Sequence, residues 1–153
     1  MKNLRLVVAV LAVLVLCGVC AAWTDADVRY LNDVEQHMNR VTAAIKDASY
    51  WSEDISQNGC NNANLKGLVT SLTRVGVIAL EAEQIDCTDT FAHAHPYYLK
   101  AMEQLYLYSL ESVDGIIRGD AEAIAEASKH MVLTTEYLNK YLDLLNEMIG
   151  SQK

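Results

Sequence analysis

Apolar residues recur at steps of three and four along four long stretches of this chain, and this spacing constrains the fold more than any other feature. Such spacing places apolar side chains on one face of an α-helix. The chain has one proline and seven glycines among its 153 residues, so few positions interrupt helix formation. The pattern therefore predicts an all-α protein built from four helices.

Polar residues predict where the first helix begins and ends. Thr24 or Asp25 can cap a helix over 25–55, because short polar side chains accept hydrogen bonds from the free N–H groups at a helix start. The polar run 56–62 then ends that helix. Within this run, Gly59 suits the left-handed backbone that often follows a helix.

The second helix is expected to start at an Asn61 or Asn62 cap and to run to about residue 85. Gly76 lies inside it, in a stretch rich in β-branched residues, so the helix could break there. Residues 86–95 then form a connection. The predicted boundaries leave open whether the second helix is one continuous element.

Pro96 suits the first turn of a third helix, Gly119 ends it, and Asp120 caps a fourth helix over 121–149. Short connections make successive helices antiparallel, which predicts an up-down-up-down four-helix bundle. A pair of helical hairpins that needs a partner to close its core is the alternative. Positions expected in the core include Val28, Leu31, Val34 and Met38 of the first helix and Met102, Leu105, Ile116 and Ile117 of the third.

The first 22 residues have the layout of a secretory leader. Lys2 and Arg5 precede an apolar run over 6–16, and the small residues Ala21 and Ala22 precede Trp23. We expect cleavage before Trp23, which leaves residues 23–153 as a single helical domain. The uncharged stretch also reaches the lower limit for an uncleaved membrane anchor, roughly 17 residues. Lipidation of Cys20 is a third interpretation, although the residues before it depart from a lipobox.

The acidic balance of the chain limits its partners. The net charge is −8, and because the leader holds two basic residues and no acid, the remainder carries −10. Proteins that bind nucleic acid present cationic surfaces, so the charge argues against nucleic acid. We expect an extracytoplasmic protein, whether secreted, periplasmic or on the outer face of the cell membrane. It would meet a membrane only through a retained or lipidated leader.

Cys60 and Cys87 are the only cysteines after the leader. Exported chains usually pair their cysteines. A straight helix over 62–85 would separate these two by about 36 Å, whereas a disulfide needs Cα atoms within roughly 7 Å. Either the helix folds back near Gly76, or the thiols stay free, or they bridge between molecules.

His93 and His95 are the candidate metal ligands, because two imidazoles near Asp86, Cys87 and Asp89 could hold a divalent ion. The competing interpretation is that His95 caps the third helix and His93 is solvated. The chain has no nucleophile elbow and no glycine-rich phosphate loop. We therefore expect a protein that is not an enzyme and that needs no cofactor.

The third and fourth helices carry a second stripe of apolar and tyrosine residues beside their core positions. A wide buried arc that contacts two neighbouring helices would explain it, as would a face for a protein partner or for self-association. Tyrosine supplies contact area while tolerating water, which suits a binding face. The candidate contact residues are Tyr97, Leu107, Tyr108, Tyr137 and Tyr141. The preferred hypothesis is an exported helical bundle that acts through protein contacts at the cell envelope. A metal- or cofactor-binding bundle is the alternative.

Overall fold

The computed structural model describes residues 23–150, and all regular secondary structure in this part of the chain is helical, without strands. The all-α prediction with four helices is confirmed. The predicted leader over 1–22 lies outside the described residues. The helices are α1 (Asp25–Asn58), α2 (Asn62–Leu80), α3 (His95–Arg118) and α4 (Ala121–Gly150), with short 3-10 segments at Glu81–Gln84 and Asp89–Phe91 between α2 and α3.

Reciprocal capping boxes begin the first two helices. At α1, the Thr24 hydroxyl accepts from the Asp27 N–H at 3.2 Å, and the Asp27 carboxylate accepts from the Thr24 N–H at 2.9 Å. At α2, Asn61 and Asn64 form the equivalent pair, with Asn61 accepting from the Asn64 N–H at 3.1 Å and Asn64 accepting from the Asn61 N–H at 2.8 Å. Each box satisfies N–H groups that the helix leaves without partners. The predicted caps at Thr24 and Asn61 are confirmed.

The boundary between α3 and α4 follows the sequence prediction. Gly119 adopts a left-handed backbone with φ 66°, and its N–H donates to the carbonyls of the last turn of α3. The Asp120 carboxylate accepts from the Ala123 N–H at 3.0 Å and so caps α4. Pro96 occupies the first turn of α3, where its missing N–H has no helical partner to lose.

Helix α2 is one continuous α-helix through Gly76 and ends at Leu80, five residues before the predicted end. A Cβ atom at Gly76 would lie 2.5 Å from the Ser109 Oγ of α3, so glycine serves close helix packing here and marks no break. The fold-back that would have joined Cys60 to Cys87 is therefore wrong. Both thiols are free and exposed, one before α2 and one after it.

The core takes side chains from all four helices and from the connection between α2 and α3. It includes Leu31, Val34, Met38, Val75, Ala79, Phe91, Met102, Leu105, Leu138 and Leu145. Two expected core residues, Val28 and Ile117, are exposed instead. Three tyrosines, Tyr30, Tyr98 and Tyr141, occupy the interior.

Named contacts tie each helix to the next. Arg40 of α1 pairs with Glu81 just after α2 at 2.5 Å, and Arg74 of α2 lies 3.4 Å from Asp47 of α1. The Ser109 hydroxyl of α3 donates to the Leu72 carbonyl of α2 at 2.7 Å. His130 of α4 lies 2.7 Å from the Gln104 side chain of α3. Of the helices within residues 23–150, none combines the length and the apolarity that crossing a bilayer requires.

Candidate functional site

The two predicted metal ligands do not share a site. His93 is exposed in the connection before α3, whereas His95 is half-buried with its Nδ1 3.1 Å from the Tyr30 hydroxyl. Within residues 23–150, no three His, Cys, Asp or Glu side chains come close enough together to hold a metal ion. The described geometry therefore does not assemble the predicted His93 and His95 centre.

Two of the predicted contact residues meet around a lysine. The Lys100 ammonium lies 6.0 Å from the centroid of the Tyr97 ring and 5.8 Å from that of the Tyr137 ring. Tyr97 and Lys100 belong to α3 and Tyr137 to α4, so this cation–π contact joins the two helices. Contacts of this kind stabilise exposed sites by about 0.5–1 kcal/mol. Both rings are partly exposed and also pack against the core.

The other predicted contact residues are less exposed to a binding partner. Leu107 and Tyr108 are half-buried, and burial raises the pKa of the Tyr108 hydroxyl. Tyr141 has 0% of its surface exposed, so its prediction as a contact residue is wrong. It lies on the inner side of α4, where its hydroxyl is 3.2 Å from that of Tyr30. Tyr141 therefore belongs to a wide buried face of α4, which is the alternative explanation of the second apolar stripe.

A tyrosine–histidine cluster occupies the interior where α1, α3 and α4 meet. It consists of Tyr30, His37, His95, Tyr98 and Tyr141. The rings of Tyr98 and Tyr141 lie 5.4 Å apart by centroid, and Phe91 stacks on Tyr30 at 4.7 Å. Desolvation raises the pKa of all three tyrosines and lowers that of both histidines. Burial therefore keeps the cluster neutral.

The protonation of His37 follows from its partners. Its Nε2 lies 2.7 Å from the Ile78 carbonyl of α2, which can only accept, so Nε2 carries the hydrogen. In the neutral ring Nδ1 must then accept, and the Tyr98 hydroxyl donates to it at 2.5 Å. His37 therefore links α1 to both α2 and α3 through directional bonds. Sequence reasoning missed this role, although His37 stands three residues after Val34 and four before Val41, on the apolar face of α1.

The cluster is tightly packed, and its three tyrosines are closed to solvent. Tyr30, Tyr98 and Tyr141 have almost no exposed surface. His37 reaches the edge of a shallow cavity of about 250 Å³, which is lined mainly by polar and charged side chains from α1 and from the segment after α2. Catalytic groups need access to substrate, and the aromatic members of the cluster lack it.

Helices α2 and α3 carry exposed and half-buried apolar side chains, three of which line a common groove between the two helices. We call this set of side chains the apolar seam and define it as Val77, Leu80, Leu99, Tyr106, Leu110 and Ile117. Among them, Val77 is 54% exposed, Leu80 46%, Leu110 50% and Ile117 72%. Leu80, Leu99 and Tyr106 line a groove of about 300 Å³ between the two helices. Glu83, Lys100 and Glu103 also line this groove.

The seam differs from the surface that the sequence predicted. Tyr97 and Tyr137 lie where α3 meets α4, whereas the seam lies where α3 meets α2. Ile117 was expected in the core because it continues the apolar pattern of α3, but that pattern is wider than the buried face. The available signal was the apolar pair Val77 and Leu80, which stands beside the core residues Val75 and Ala79.

Comparisons of this chain with protein-family models, with curated proteins and with solved structures find no match. Any functional assignment therefore rests on the residues of the chain itself.

Proposed function

We propose that this protein is a non-enzymatic, extracytoplasmic helical bundle that acts through contact with another protein. The observation that carries the proposal is the apolar seam, where four large apolar side chains stay at least 46% exposed on two adjacent helices. Contiguous apolar surface of this kind marks interaction sites in soluble proteins. Tyr97 and Tyr137 add a second, tyrosine-rich contact area near Lys100.

The proposed architecture is an up-down-up-down bundle. Contacts between successive helices support it, because they pair residues in opposite order. Along α1 and α2, Asp47 meets Arg74 and Arg40 meets Glu81. Along α3 and α4, Gly115 approaches Ile124, and Gln104 approaches His130. The order of these pairs is the one expected of antiparallel neighbours.

The proposed location outside the cytoplasm depends on the leader-like sequence over 1–22. The acidic composition agrees with a protein that avoids nucleic acid and anionic membranes. Mass spectrometry of the N-terminus of the native protein tests this part. A start at Trp23 or a lipid on Cys20 would support export, whereas an unmodified Met1 in the soluble cytoplasmic fraction would overturn it.

Site-specific photocrosslinking in the source cells tests the protein contact. A photoreactive residue at Val77 or Ile117 should yield a discrete crosslinked species of higher mass, because these side chains lie in the seam. The same residue at Asn39 or Lys46, which are exposed on α1, serves as the control.

Crosslinks at the seam positions and none at the α1 positions would support the proposal. Equal yields at all four positions, or no crosslinked species at any of them, would contradict it. Because the readout requires no knowledge of the partner, the experiment uses the full chain in its own compartment.

A further inference from the structure

The chemistry of the apolar seam specifies the kind of partner that it accommodates. Leu80 of α2 and Leu99 and Tyr106 of α3 form the apolar wall of the groove, which has a volume of about 300 Å³. Leu110 and Ile117 continue the seam along α3. The rise from Leu99 to Ile117 is about 27 Å, or five helical turns.

The groove itself spans Leu99 to Tyr106, and a row of apolar side chains that continues along α3 for this length suits a third helix better than an extended strand. An amphipathic helix places one apolar side chain on the same face every three or four residues, which matches a row of apolar contacts along a groove. Strand addition instead requires a sheet edge, and residues 23–150 contain no strand. The seam therefore fits the apolar face of a helix.

The charged groups beside the groove set the charge of that helix. Glu83 and Glu103 line it, both are exposed, and within the described part of the chain neither forms an ion pair. Lys100, the one basic residue of the lining, has its ammonium near the rings of Tyr97 and Tyr137. Two carboxylates beside an apolar groove attract a partner whose basic residues flank its apolar face.

A second copy of this chain is a poorer occupant. The chain carries a net charge of −8, so two copies repel each other at moderate ionic strength. Each copy would also bring its own Glu83 and Glu103 toward the shared surface. A cationic partner gains from the same charges that oppose self-association.

We propose that the apolar seam binds a basic amphipathic helix of a partner protein, with the apolar face of that helix in the groove and its basic residues facing Glu83 and Glu103. This inference rests on the proposed function and specifies the partner of that site. It concerns the groove between α2 and α3 and uses Tyr97 and Tyr137 only to account for the Lys100 ammonium.

Peptide binding to the purified chain tests the proposal. The probe is a fluorescent amphipathic helical peptide of leucine and lysine, about 18 residues long so that it spans the seam. A leucine and glutamate peptide with the same pattern and a lysine peptide with its leucines scrambled off one face are the comparison probes. Fluorescence anisotropy should show tighter binding of the first peptide than of either comparison peptide.

Paired charge reversals locate the binding surface. Glu83→Lys with Glu103→Lys should weaken binding of the lysine peptide by about tenfold or more, because two attractive contacts become repulsive. Glu136→Lys with Asp143→Lys changes the net charge equally on the exposed face of α4 and should change the Kd by less than about threefold. Leu80→Asn should weaken binding without a charge change, and circular dichroism checks that every variant stays folded.

Equal weakening by the two charge-reversal pairs would overturn the proposal, since it would show attraction to the overall charge. A concentration-dependent dimer in sedimentation, abolished by Leu80→Asn, would also overturn it in favour of a second copy. Either result leaves the photocrosslinking test of the proposed function intact, because seam crosslinks to another protein could still form. Absence of crosslinks at every position would instead contradict the proposed function, because no protein contact would have been detected.

Discussion

The tyrosine–histidine cluster and the apolar seam place opposite kinds of side chain in unexpected surroundings. The cluster buries three hydroxyls and a histidine ring in the core, while the seam leaves four large apolar side chains exposed. In the cluster, Tyr30, His37 and Tyr98 each have a hydrogen-bond partner inside the fold. In the seam, the exposed parts of the side chains have no cover from the described chain. The polar groups of the cluster are satisfied inside the fold, whereas the seam would gain stability only by binding another molecule.

This contrast has an energetic side. A buried polar group without a partner costs about 1–3 kcal/mol, so the partners of His37 and Tyr98 are required for the fold. Burying apolar surface stabilises a protein or a complex by about 25 cal/mol for each Å², so binding that covers the seam would be favourable. Substitutions in the cluster should therefore change folding, and substitutions in the seam should change association.

The largest expected effect is the loss of a cluster ring. Tyr98→Ala should lower the free energy of unfolding by about 3–5 kcal/mol, because it leaves a cavity in the core and an unpaired His37 nitrogen. Ile117→Ala, which truncates an exposed seam residue, should change it by less than about 0.5 kcal/mol. Urea unfolding followed by circular dichroism measures both. Similar decreases in the free energy of unfolding for the two variants would contradict the view that the cluster stabilises the fold and the seam does not.

The start of α1 should show the next largest effect. Burial raises the pKa of Asp27, but hydrogen bonds from Thr88 and Thr24 outweigh it, so the pKa lies below its usual 3.8. Asp27→Asn should lower the free energy of unfolding by about 1–2 kcal/mol at pH 7, since the carboxylate accepts three bonds there. That difference should shrink as the pH falls through the depressed pKa. Asp25→Asn, the same change at an exposed position of the same turn, should have a much smaller effect.

Acid should destabilise the cluster through His37. Burial lowers its pKa below 6.5, so the unfolded chain binds more protons between the folded pKa and 6.5. The free energy of unfolding should therefore fall as the pH drops below about 6.5, by at most 1.4 kcal/mol per pH unit from this group.

Neighbouring charges act on this titration in opposite directions, because Arg40 lowers the pKa of His37 and Glu81 raises it. His37→Gln should reduce the slope of stability against pH measured between pH 5 and 6.5, since the amide does not titrate. His93→Gln, which removes an exposed histidine, is the matched control. An identical slope for wild type and His37→Gln would show that the buried ring does not control acid stability.

The smallest expected effect is that of Val77→Thr on α2, and Val75→Thr is its buried comparison. Val77→Thr alters an exposed seam residue and should change the free energy of unfolding by less than about 0.5 kcal/mol. Val75→Thr makes the same chemical change two residues earlier, where the side chain is buried, and should cost about 1–3 kcal/mol. Thermal unfolding of both variants, together with binding of the lysine peptide, shows whether seam residues affect association alone.

The sequence was sufficient for the four helices and their caps, because caps and periodic apolar residues act locally, but it placed the end of α2 five residues too late. Thr24, Asn61, Gly119 and Asp120 have the roles expected from their chemistry. Local sequence does not predict which side of a wide apolar stripe is buried, because that depends on which neighbouring helices pack against it. Ile117 was expected in the core and is exposed, and Tyr141, a candidate contact residue, is buried as the wide-arc alternative predicts.

The long-range pairs of the candidate site could not be read from the sequence either. His37 and Tyr98 are 61 positions apart, and only the packing of α1 against α3 brings them together. Gly76 was expected to weaken α2, yet it marks the close approach of Ser109. The carboxylates that line the groove look like ordinary surface charges until Leu80 and Leu99 are placed between them.

Because α2 is continuous, the distance between the two natural cysteines on either side of it reports the length of this helix. Cys60 and Cys87 flank this helix and are both exposed and free. Spin labels on the two thiols would report a separation of about 30 Å across α2 and the residues that flank it, without any engineered cysteine in residues 23–150. Any event that bends α2 or unwinds its end would shorten or broaden that measured distance.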